Sequence, residues 1–99
     1  MTVKPLKPPT IPAVYKILAA AGFQKSERII GGYSTGYKAS IRADRPGVVY
    51  VRHVRWSIGP SADAVAVWQG RYAVAITAAG YAVERSAVAP GQLIVTLPN

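Results

Sequence analysis

Residues 36 to 51 read GYKASIRADRPGVVYV, and residues 80 to 95 read GYAVERSAVAPGQLIV. Aligned without a gap, six of the sixteen positions are identical: Gly-Tyr, an Ala, Pro-Gly and a closing Val. This repeat constrains the fold more than any other feature of the chain. Each copy has an alternating segment, a Pro-Gly turn and a second β-rich segment, the pattern of a β-hairpin. In the first copy Tyr37, Ala39 and Ile41 share one strand face, and Lys38, Ser40 and Arg42 share the other. The return strands are expected over residues 48–56, VVYVRHVRW, and residues 92–97, QLIVTL. Alternation in the former groups Arg52 with Tyr50, Val54 and Trp56, and Arg55 with Val49, Val51 and His53. Neither face is purely apolar, so a bulge or an edge position is expected there.

A helical pattern precedes each hairpin. Thr10 or Ile11 to Ala21 carries an apolar stripe of Val14, Leu18 and Ala21 with Ile17 beside it, a Pro at residue 12 suited to a first turn, and a Gly22 stop. The second helix has Ser61 as N-cap and Asp63 in its first turn. Val65, Trp68, Tyr72, Ile76 and Ala79 follow at three- and four-residue steps, and Gly80 is the stop. The helix ends match as well: LAAAGF at residues 18–23 against ITAAGY at 76–81. The expected fold class is therefore α+β, a duplicated αββ unit in the order α-β-β-α-β-β. Its four strands form one antiparallel sheet with two helices on one face, the other face being open to solvent or a partner. Residues 1–9 read as a flexible proline- and lysine-rich arm and residues 10–99 as a single domain, with copies at about 10–56 and 61–97. The first copy carries an extra segment, residues 23–36, FQKSERIIGGYSTG.

Inside that segment, RIIGGY at residues 28–33 looks like the activation site of a trypsin-like protease. The rest of the chain excludes that reading. His53 is the single histidine, no Gly-x-Ser-x-Gly segment exists, and the remaining scaffold is too small. Gly31-Gly32 is expected to be a turn, with Ile29 and Ile30 in a short edge strand or packed under the insertion. GGYSTG at residues 31–36 lacks the Lys-Ser/Thr pair of a phosphate-binding P-loop and runs into a strand, not a helix. Four scattered carboxylates, one histidine and no cysteine offer no catalytic set and no metal site. A non-enzymatic protein without cofactor is expected, and His53 is expected on the surface.

The charge is the positive clue. Residues 1–55 hold ten Lys/Arg against Glu27 and Asp44, the whole of the net +8; in residues 56–99 Arg71 and Arg85 balance Asp63 and Glu84. A one-sided positive field draws polyanions. The residues expected to contact phosphate are Lys25, Arg28, Lys38, Arg42, Arg45, Arg52 and Arg55, with Tyr33 and Tyr50 for stacking on bases. The partner would be DNA or RNA. No apolar run approaches the ~18–20 residues of a membrane span, and the N-terminus lacks the apolar region of a secretory signal, so no membrane partner and a cytoplasmic location are expected.

The Ala/Val/Arg/Gly-rich composition and the phrases AAAGF and AAGY resemble small accessory proteins of actinobacterial phages and mobile elements. That resemblance implies either nucleic-acid binding or obstruction of a host protein, in the host cytoplasm. A protein-binding module, or a virion or assembly component that self-associates, for instance as a homodimer, is the alternative function.

Overall fold

The computed structural model describes residues 7–54, 62–87 and 91–98. The elements run α1 (Ile11–Ala20), β1 (Arg28–Ile29), β2 (Gly32–Tyr33), β3 (Gly36–Ser40), β4 (Val49–Val54), α2 (Ala62–Ala78), β5 (Ala82–Arg85) and β6 (Gln92–Thr96). Strands β3 to β6 form one antiparallel sheet in the order β3-β4-β6-β5, and β1 and β2 form a separate two-stranded ladder. The class is α+β with two helices on one sheet face, as the periodicities require.

Thr10 caps α1 as expected, its Oγ1 accepting from the Ala13 amide at 3.2 Å. The two helices end in the same way. Phe23 N donates to Leu18 O and Gly22 N to Ala19 O; 58 residues on, Tyr81 N donates to Ile76 O and Gly80 N to Thr77 O. Ala21 lies beyond α1 and is exposed, so the buried stripe is Val14 and Leu18. The expected cap Ser61, the arm at residues 1–6, and Arg55 and Trp56 lie outside the described residues.

The hairpin registers follow the sequence repeat. Lys38↔Arg52, Ala39↔Val51 and Ser40↔Tyr50 in the first become Ala82↔Thr96, Val83↔Val95 and Glu84↔Ile94 in the second, each residue displaced by 44. Where the hairpins meet, Tyr50 pairs with Ile94, again 44 apart, with Val49↔Val95 and Val51↔Leu93 on either side. The strand pairing is therefore symmetric about the Tyr50–Ile94 pair. The core matches across it: Val14 and Leu18 of α1, Tyr72 and Ile76 of α2, Tyr37, Val49 and Val51 of one hairpin, and Tyr81, Leu93 and Val95 of the other are all buried in one cluster.

Three expectations are corrected. Strand β4 is central, and its register with β3 runs unbroken from Gly36↔Val54 to Ser40↔Tyr50, so it is neither an edge nor bulged over these residues. His53 is 6 % exposed rather than a surface residue. It follows Val49 and Val51 on the helix-facing side, where the seventeen-residue α2 reaches over it. The position 44 residues later is Leu97, 36 % exposed. The ten-residue α1 starts too late to cover it, because the counterpart of Trp68, 58 residues earlier, is the cap Thr10. The opposite face is not uniformly open either, since Tyr50 and Ile94 at its centre are buried.

The 23–36 insertion docks on the outer edge of β3. Ser26 N donates to Tyr37 O at 2.8 Å and Tyr37 N to Gln24 O at 3.0 Å, while Tyr15 Oη of α1 accepts from Ala39 N at 3.3 Å. Gly36 is required by this approach, because a Cβ there would collide with the Gln24 carbonyl and the backbone of Lys25 and Ser26. The expectation of a short strand holds for Ile29, in β1, but Ile30 sits in the turn and is fully exposed.

Candidate nucleic-acid interface

Strand parity sorts the cations. Because Tyr37 and Ala39 face the helices, Lys38 faces away; because Val51 and His53 face the helices, Arg52 faces away. The register then sets Lys38 directly opposite Arg52. Side chains so paired have Cβ atoms roughly 5 Å apart, where like charges repel. Lys38 is half-buried and Arg52 exposed. Two cations thus sit opposite one another on one ladder, on the sheet face away from the helices.

The turn of the same hairpin holds Arg42 and Arg45. Arg42 clasps Asp44 through both ends of the guanidinium, Nε to Oδ1 and Nη2 to Oδ2, each at 3.1 Å. Both side chains are more than half exposed, so the pair contributes ~0–1 kcal/mol and is easily exchanged for another anion. Arg45 is exposed, its amide held by the Arg42 carbonyl at 3.1 Å. Both arginines line a cleft of about 440 Å³ between this turn and the start of α1, whose walls include Pro9, Ile11, Ile41 and Val48.

The remaining expected residues diverge. Lys25 turns toward α1, its Nζ 4.8 Å from the centroid of the Tyr15 ring. Arg28 is exposed on β1, in the insertion hairpin. Tyr33 ends that hairpin in β2. Tyr50 is on the face of Lys38 and Arg52 but 4 % exposed, and its hydroxyl has no hydrogen-bond partner among the described residues. Its ring is packed away, so stacking on a base is not open to it in this structure. Arg55 lies outside the described residues.

Sequence reasoning missed an aromatic cluster at the other side of the sheet. His53 Nδ1 lies 2.6 Å from Tyr72 Oη, and the His53 ring stacks on Trp68 at 5.0 Å and 10°. Phe23 closes edge-on against Tyr72 at 4.9 Å. Burial, and secondarily the neighbouring Tyr37, push the Tyr72 phenol well above the ordinary tyrosine range; burial, and secondarily Tyr15, raise Tyr37. Both phenols stay protonated at neutral pH. The available signal was the parity of His53 with Val49 and Val51, set against Trp68 and Tyr72 one helical turn apart. The cluster is packed as core.

Among the described residues no group of three His, Asp or Glu side chains is arranged to hold a metal ion, and no helix is long and apolar enough to cross a membrane. Comparison with protein-family models, curated proteins and solved structures finds no match to this chain. A functional reading therefore rests on its own residues.

Proposed function

We propose that this chain is a non-catalytic nucleic-acid-binding protein that holds a phosphate backbone on the β3–β4 hairpin. The observation that carries the reading is the Lys38↔Arg52 pair, two cations placed opposite one another on the sheet face away from the helices. A polyanion lying along that face would be attracted by both cations at once. Arg42 and Arg45 extend it along the turn, and Arg28 and Lys25 add charge on the insertion. A cytoplasmic location, that of the host if the chain is phage-borne, accords with a nucleic-acid partner. The shared 44-residue register further supports a duplicated αββ origin, with the second copy neutral and structural.

The test is fluorescence anisotropy against short duplex DNA, single-stranded DNA and RNA across salt. Binding should persist at physiological salt and favour one form. Replacing Lys38 and Arg52 by Gln should flatten the log–log salt slope by roughly two. An unchanged slope would remove this hairpin from the interface.

A second reading, a module for a host protein or for self-assembly, is favoured by the β5 edge. The hairpin registers match, so Val83, like Ala39, turns its backbone outward. Tyr15 caps Ala39, whereas β5 is the terminal strand, with no strand paired on its outer side among the described residues. A salt-tolerant stoichiometric complex with an acidic protein, or a dimer by light scattering, would select this reading.

A further inference from the structure

The insertion hairpin ends in an exposed apolar tip. Its stem is braced: Ser26 Oγ donates to Ser34 O at 2.7 Å, Glu27 N to Ser34 Oγ at 2.9 Å, and Ser34 N to Glu27 O at 2.8 Å. Beyond the stem, Arg28 pairs with Tyr33 and Ile29 with Gly32, and Ile30-Gly31 make the turn. Gly31 takes φ +90, a conformation an L residue rarely adopts. Ile29 is 43 % exposed and Ile30 is 100 % exposed. Two-residue hairpin turns ordinarily use polar, turn-forming residues such as Asn-Gly. A β-branched apolar side chain at the tip of a braced ribbon contributes nothing to the core and is open to contact by a partner.

Charge chooses the partner. Arg28 is next to Ile29 in β1, and the half of the chain carrying this hairpin holds the whole net +8. The tip lies three residues beyond the Glu27–Ser34 bonds, about 10 Å of extended chain. A B-DNA minor groove is about 7.5 Å deep but only about 6 Å wide, so a ribbon tip enters it only where the groove is opened and the duplex bent. Proteins that enter this groove commonly insert an aliphatic side chain at a base step beside an arginine, partly unstacking it and kinking the duplex.

We propose that the Arg28–Tyr33 hairpin is a minor-groove wedge for duplex DNA. Ile30 enters a base step with Ile29 behind it, Arg28 holds an adjacent phosphate, and the duplex bends. This rests on the nucleic-acid reading and assigns it duplex DNA as the polymer.

The experiment measures end-to-end energy transfer in a short doubly labelled duplex, with parallel anisotropy titrations, for the wild-type chain, Ile30→Ala and Ile29→Ala/Ile30→Ala. Ile30 is fully exposed, so these variants keep the fold, which circular dichroism and thermal melting confirm. The wild type should bend the duplex. Ile30→Ala should retain the salt slope, lose the bend and bind about tenfold more weakly. A wild-type complex that is bound and salt-dependent but straight, or a bend unchanged in Ile30→Ala, overturns the wedge and leaves the phosphate-binding reading standing. So does binding confined to single strands or RNA. Ile30-dependent uptake by anionic vesicles, with no bending of DNA, overturns the wedge by assigning the tip to a lipid surface. Failure to bind any nucleic acid removes both readings.

Discussion

Lys38 faces Arg52 across the β3–β4 ladder; displaced by 44 residues, Ala82 faces Thr96 across β5–β6. The backbone pairing is the same and the chemistry is opposite. The first hairpin also carries Arg42 where the second carries Ser86, and only the first is preceded by the braced insertion. The edges differ likewise, β3 being capped by Tyr15 and the insertion while β5 has no such cap among the described residues. The helices differ in reach, so His53 is buried where Leu97 is not. Alternating strands need apolar residues only toward the core. The outward positions are free to diverge without disturbing the register, and charge accumulated on one half alone.

The largest expected difference lies in the core. Tyr72→Ala should destabilise the fold by about 3–5 kcal/mol, as for a large buried aromatic, whereas Leu97→Ala should cost less than about 1 kcal/mol. Urea denaturation of the two variants measures the gap; similar losses would mean that the two strand ends are covered alike.

Charge transfer between the hairpins sharpens it next. In a Lys38→Gln/Arg52→Gln background, adding Ala82→Lys and Thr96→Arg should restore a salt slope of roughly two units without restoring the preference for one polymer, because the insertion stays on the other half. Anisotropy titrations across salt read both quantities.

A smaller effect is expected at the capped edge. Tyr15→Phe removes the acceptor of Ala39 N, with an expected loss of about 0.5–1.5 kcal/mol in denaturant unfolding. Val83→Ala on the uncapped edge removes no such bond.

The smallest is a dependence on alkaline pH. The Tyr72 phenol is held protonated above its ordinary range by burial, while in the unfolded chain it ionises at about 10. Between those values the unfolded state binds fewer protons, so stability is fully present below pH about 10 and falls as pH rises beyond it. Thermal midpoints from pH 7 to 11 should show that decline in the wild type and a shallower one in Tyr72→Phe.

Much of the frame was legible in residue order. Gly22 and Gly80 stop the helices, the Pro46-Gly47 turn spaces β3 and β4, and the alternation of Tyr37, Lys38 and Ala39 assigns faces. These are local matters, set by a period of two or 3.6 residues and by which residues tolerate a turn. The cations Lys38 and Arg52 could be placed on one face by parity alone. That they stand directly opposite one another required the register, which the turn length fixes.

Long-range packing decided the rest. That β4 adjoins β6, that His53 lies under Trp68 and Tyr72, and that Tyr50 is buried on the outward face depend on elements tens of residues apart. Polar residues such as His53 and Tyr50 carry no periodic signal of burial, because their cost in the core depends on whether a distant group meets them. The same holds for the insertion: its glycines announced a turn, but only its docking on β3 through Gln24, Ser26 and Gly36 leaves Ile30 out at the tip. Short-range patterns were thus enough for the elements and their faces, and the contacts between distant segments determined which side chains remain for a partner.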